Sequence, residues 1–179
     1  MASIFDTSIS GWQSPVTYPK YGIASGDANR YFYSLADNNQ GNNPINNLGT
    51  LWDGYALINS TYVPDFFWKP SYATVSQSSP RIIRIKFGNG YEKRIPDGFN
   101  TNLITMQVAF ENRKESEAVS ILHFFQQMNG QTAFIYNVPT VYSKSTSSIN
   151  TRFLCPNWET TYNFYQNYTI RATFEEVSA

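Results

Sequence analysis

The sequence predicts a mainly β fold: an antiparallel β-sandwich or barrel with one flanking α-helix, preceded by a small N-terminal β-module. Three observations carry that expectation. Apolar and polar residues alternate over several runs, the two-residue period of a strand with one buried face. Only one stretch shows the three- and four-residue spacing of an amphipathic helix. No strand–helix–strand alternation points to a nucleotide-binding sheet. With 13 Phe, 13 Tyr and 4 Trp among 179 residues, the chain can pack a core without metal or disulfide staples.

Composition shifts near residue 60, which divides the chain into a small aromatic-rich module over 1–60 and a larger unit over 61–179. In the first part, Tyr31-Phe32-Tyr33 precedes the run Asp37-Asn38-Asn39-Gln40-Gly41-Asn42-Asn43-Pro44, which favours short strands joined by irregular loops. In the second, Arg81 to Phe87 sets Ile83, Ile85 and Phe87 on one face against Arg84 and Lys86, the pattern of a half-buried strand. Gly88-Asn89-Gly90 supplies a hairpin turn that accepts positive φ, Tyr91 to Ile95 returns antiparallel, and Pro96-Asp97-Gly98 closes the unit. A further strand spans about 102–111 with Ile104, Met106, Val108 and Phe110 toward a core.

The helix is expected over about 113–129. Asn112 is the candidate cap, Glu115 completes a capping box, and Asn129-Gly130 supplies the stop. Ala118, Ile121, Leu122, Phe125 and Met128 form its apolar stripe. Phe134 to Val138 and Tyr162 to Val177 complete six or seven strands, with 143–150 as a polar loop.

Charged residues make up only 15% of the chain, and 13 basic residues balance 13 acidic ones, so nothing resembles a nucleic-acid footprint. No apolar run is long enough to insert into a membrane, and the N-terminus lacks the basic and apolar regions of a signal peptide. The single cysteine, Cys155, reads as a small buried apolar residue in a chain that folds under reducing conditions.

The chemistry-bearing residues do not converge. His123, the only histidine, has Val119 and Gln127 one helical turn away, and with one Cys and one His a zinc site is not expected. Gly88-Asn89-Gly90 lacks the Lys-Ser/Thr of a phosphate loop. Glu175-Glu176 point to opposite faces of a strand, and Asp37, Asp53 and Asp65 show no spacing logic. The expectation is no catalytic residue, no metal, no cofactor and no enzyme.

The segment Phe87-Gly88-Asn89-Gly90-Tyr91-Glu92-Lys93-Arg94, followed by Pro96-Asp97-Gly98-Phe99-Asn100, resembles a motif of the lambda-type phage minor tail protein M family, FGDGYEQR then DG-x-N. Phe67-Trp68-Lys69-Pro70, Phe124-Phe125, Phe134, Cys155-Pro156-Asn157-Trp158 and Thr173-Phe174-Glu175-Glu176-Val177 match in order, covering about 61–179. Asn89 in place of Asp and Lys93 in place of Gln depart from the pattern, as does an N-terminal addition of some sixty residues.

The resemblance implies a β-rich structural protein at the virion's tail tip, made in the host cytoplasm. It implies a sixfold homo-oligomeric ring between the tail tube protein and the tip or hub proteins. Spare strand edges and a protruding hairpin suit such a ring, because a neighbouring copy can complete them. Arg84, Lys86, Asn89, Tyr91, Lys93 and Arg94 are the candidate assembly residues, either contacting a neighbour or facing the lumen, against the plainer reading of a solvated hairpin face.

The N-terminal part has a separate resemblance. Gly26-Asp27, Tyr31-Phe32-Tyr33, the Asn-rich run to Pro44, and Trp52 are similar to small chitin- and cellulose-binding modules. That likeness implies a cell-surface glycan as the alternative partner, with Trp12, Tyr33 and Trp52 as stacking platforms. The same rings could equally form the core of a small module.

Overall fold

In a computed structural model, residues 9–26, 30–58, 61–71, 74–138 and 150–177 are described. In chain order they form β1 (Ile23–Ser25), β2 (Tyr31–Ser34), β3 (Trp52–Ile58), β4 (Thr61–Phe66), β5 (Val75–Ser78), β6 (Ile82–Lys86), β7 (Glu92–Pro96) and β8 (Ile104–Arg113). There follow α1 (Glu115–Met128), β9 (Phe134–Asn137), β10 (Asn150–Phe164) and β11 (Asn167–Glu176). Nine strands join in one open sheet of order β1-β2-β3-β4-β9-β10-β11-β8-β5, while among the described residues β6 and β7 pair only with each other. Neighbours are antiparallel except β4 and β9, which run parallel. The fold is the expected mainly β arrangement with one helix, and among the described residues the sheet does not close into a barrel.

The alternation in β8 works as expected, with Ile104, Met106, Val108 and Phe110 all buried. They meet the helix stripe, where Ala118, Ile121, Leu122, Phe125 and Met128 are also buried. Phe66 sits at the middle of this core, stacked on Phe125 with ring centroids 5.4 Å apart and edge-on to Phe110 at 5.6 Å and Phe174 at 5.3 Å. Such close aromatic packing joins β4, α1, β8 and β11 into one interior.

The helix also buries Ser120, His123 and Phe124, which lie outside the expected stripe. Their cover comes from the N-terminal strands. The Tyr31 ring lies edge-on to His123 at 4.8 Å, the Tyr33 hydroxyl meets His123 Nδ1 at 3.2 Å, and the Ser120 hydroxyl donates to the Tyr21 carbonyl at 2.7 Å. The boundary expected near residue 60 falls between β3 and β4, which pair antiparallel on either side of it.

Three local expectations need correction. Asn112 does not cap the helix. It lies inside β8 at φ 56°, where the register against β11 slips between Tyr168 and Ile170, so it forms a bulge. The helix begins after Lys114 without a side-chain cap, and the Arg113–Glu117 ion pair at 2.8 Å ties its first turn to the strand. Its C-terminus is as expected, with Asn129 left-handed and its N–H on the Phe125 carbonyl.

The third correction concerns the single strand expected over Tyr162 to Val177, which is a hairpin. β10 runs from Asn150 to Phe164, turns at Tyr165-Gln166 with Gln166 at φ 55°, and returns as β11. The polar loop expected over 143–150 lies outside the described residues except for Asn150, which opens β10.

Candidate assembly interface

The β6–β7 arm forms as its sequence demands. Ile82 pairs with Pro96, Ile83 with Ile95, Arg84 with Arg94, Ile85 with Lys93 and Lys86 with Glu92. Asn89 at φ 68° and Gly90 at φ 79° make the turn, a conformation that Asn and Gly accept at least cost. Cross-strand pairing puts Ile82, Arg84, Lys86, Glu92 and Arg94 on one face and Ile83, Ile85, Phe87, Lys93 and Ile95 on the other.

The half-buried state expected of this strand is absent within the chain. Every residue of β6 is exposed, Ile83 at 48%, and beyond the strand so are Phe87 at 50% and Tyr91 at 73%. The arm therefore carries an apolar face that its own chain does not cover. Its charged face is organised: Arg94 Nε donates to Glu92 Oε1 at 2.8 Å, and Arg84 lies 3.9 Å from the same oxygen. The Arg94 hydrogen bond holds the Glu92 carboxyl below its usual range.

Of the expected assembly residues, the structure brings Arg84, Lys86 and Arg94 together on one face, Lys93 on the other, and Asn89 and Tyr91 to the turn.

Unpaired edges accompany the arm. β9 pairs β10 only from Asn150 to Phe153, so among the described residues the outer edge of β10 from 154 to 164 has no strand beside it. The long β10–β11 hairpin went unrecognised in the sequence, and its tip holds Tyr162, Phe164 and Tyr165, all exposed. The signal available was the charge-free aromatic run from Thr160 to Ile170, interrupted by Gln166-Asn167.

The expected sugar platforms are placed differently. Trp52 and Tyr33 are fully buried, Trp52 edge-on to Tyr18 at 5.0 Å and Tyr33 against Trp68 at 5.0 Å. Neither offers a ring face to a glycan, because each is needed in the core. The Asn-rich run is internal stitching: Trp52 Nε1 donates to the Asn42 carbonyl, and the buried Asn39 amide donates to the Leu51 carbonyl and the Ser34 hydroxyl. Trp12 borders a cleft of about 260 Å³ with Phe32, Asn43 and Ile45.

Cys155 is a buried free thiol whose pKa burial pushes up to about 12, so it stays protonated and unreactive. Among the described residues, no group of three His, Cys, Asp or Glu side chains is gathered as a metal site. Two acids that looked unrelated in sequence do meet. Asp53 on β3 and Asp65 on β4 line a cleft of about 400 Å³ with Lys69, Tyr136 and Asn137. Burial, with a smaller contribution from Asp65 and against the Gly54 N–H, raises the Asp53 pKa to about 6; burial also raises that of Asp65.

Residues 64–178 match the family model described as phage minor tail protein. The chain is also similar to Tail tip protein M of Escherichia phage lambda, 32% identical over 74 residues that make up 41% of this chain and 67% of that protein.

Proposed function

The chain belongs to the phage minor tail protein family, and from that premise we propose that it closes into a homo-oligomeric ring, sixfold, joining the tail tube to the tip or hub proteins. Its role in the virion tail is structural. The reading rests on one observation: the β6–β7 arm alternates like a core strand yet exposes Ile83, Ile85, Phe87 and Tyr91. An apolar face of this kind on an otherwise folded chain gains most by being covered by a partner. Burying it removes apolar area from water at about 25 cal/mol per Å² before the costs of association.

Free edges supply the second ingredient. A neighbouring copy can complete the backbone hydrogen bonding of the arm and of the outer edge of β10. Because the contacting surfaces differ, the interface is head-to-tail, and a head-to-tail interface closes into a ring when the rotation permits. Function is then assembly and transmission of force along the tail, without bond-making chemistry. The described N-terminal residues act as an added layer on the helix, docked through Tyr31, Tyr33 and Tyr21.

Mass photometry and negative-stain imaging of the purified chain, alone and with tube protein, test the reading. Closed rings of uniform copy number are expected. Persistent monomers at high concentration with tube protein present would rule the ring out.

A further inference from the structure

The arm accounts for one side of a head-to-tail interface, and the other side needs a surface of its own. Three aromatic side chains at the β10–β11 tip stay largely open to solvent. Tyr162 is 60% exposed, Phe164 63% and Tyr165 77%. The tip is nevertheless held firmly. Asn163 Nδ2 donates to Asn167 Oδ1 at 2.7 Å and to Thr169 Oγ1 at 2.8 Å, and the Tyr162 and Tyr168 rings lie 5.3 Å apart. Fixed aromatic rings lose little conformational entropy on binding, and residues of this type dominate the energetics of protein interfaces.

We infer that the β10–β11 tip of one copy packs on the apolar face of the β6–β7 arm of the next copy. The inference rests on the ring reading for the presence of that next copy.

Charge selects the occupant. From Thr160 to Ile170 the chain carries no charged residue, so the tip offers nothing to an acidic or a basic partner. The apolar arm face is its match: Ile83, Ile85, Phe87 and Ile95 with a single cation, Lys93. A lone ammonium beside aliphatic residues is satisfied by tyrosine ring faces, which Tyr162 and Tyr165 supply. Neither surface covers the other within one chain, since both are exposed at once. Every copy thus carries both halves of the contact, which is what a repeating interface requires.

The test uses the full chain with Lys93→Cys and Tyr165→Cys in separate preparations. The native Cys155 is buried and stays silent. Under mild oxidation, an interchain disulfide is expected chiefly when the two preparations are mixed. A triple variant, Tyr162→Thr/Phe164→Thr/Tyr165→Thr, is expected to weaken self-association at least about tenfold with an unchanged far-UV spectrum and melting midpoint.

Arm-to-arm disulfides alone, or a triple variant that assembles like the parent, overturn the inference while the ring reading stands. A triple variant that self-associates normally yet no longer binds tube protein also overturns it, by making another tail protein the occupant. A parent chain that never self-associates overturns both.

Discussion

β8 and β6 are near-equivalents as sequence and opposites as structure. Each sets large apolar residues on alternate positions: Ile104, Met106, Val108 and Phe110 in β8, Ile83, Ile85 and Phe87 in and just beyond β6. In β8 all of them are buried against the helix and the sheet. In β6 they face solvent on a ribbon paired, among the described residues, with β7 alone. Alternation therefore specifies that a strand has a face to bury, while the identity of what buries it is a separate matter. Where the chain supplies no cover, the face stays open to solvent.

That contrast can be broken most directly at its two aromatic anchors. Phe66→Ala removes the ring that packs on Phe125, Phe110 and Phe174, and is expected to cost about 3–5 kcal/mol in urea unfolding. Phe87→Ala on the arm is expected to change monomer stability by less than about 0.5 kcal/mol. Equal losses at the two sites would mean that the arm is buried within its own chain.

Charge on the arm's apolar face sharpens the comparison further. Ile83→Asp/Ile85→Asp should leave folding intact and reduce self-association at least about tenfold, roughly 1.4 kcal/mol, by mass photometry. Unchanged assembly would show that the exposed isoleucines meet no neighbour.

A smaller effect separates the core-side seam from the arm by pH. Asp53 has a folded pKa of about 6, above its ordinary 3.8, so its ionisation opposes folding. The penalty is absent below about pH 3.8, grows between the two values, and is complete above about 6. Stability should therefore rise as pH falls from 7.5 to 5, by on the order of 1 kcal/mol after allowance for solvent reaching the carboxylate. Glu92, held low, acts in the opposite sense and only below its ordinary 4.5. Asp53→Asn should flatten the rise seen in urea titrations at the two pH values; a rise of the same size in that variant assigns the effect elsewhere.

A last substitution tests the N-terminal layer. Tyr33→Phe removes the hydroxyl that meets His123 Nδ1 and should cost about 1 kcal/mol, read as a lower urea midpoint. A neutral result would show that ring packing alone holds that layer to the helix.

Features with a strictly local cause were legible. Asn89-Gly90 dictated the arm's turn because both residues accept positive φ, and Asn129-Gly130 ended the helix for the same reason. The helix start was misread because Asn112 is as well suited to a left-handed bulge as to a cap, and only the slip between the Arg113–Tyr168 and Phe110–Ile170 pairs shows which role it takes. β10 was missed because its outer half alternates little and contains Pro156. That proline lies at the slip between Leu154 and Asn157, where the ladder does not need its missing donor. The candidate interface was legible on the arm, whose motif and turn are contiguous, and hidden at the β10–β11 tip, whose exposure depends on where the sheet stops.

The amino-acid order by itself determined the strand faces, the arm's turn, the helix stripe and the balance of charge. These follow from side-chain period, permitted φ and net charge, all local or additive properties. Only the tertiary structure decided which faces are covered: Tyr33 and Trp52 went inward, Asp53 met Asp65, and the arm stayed open. Burial depends on contacts between segments far apart in the chain, and no residue's own sequence neighbourhood contains that information.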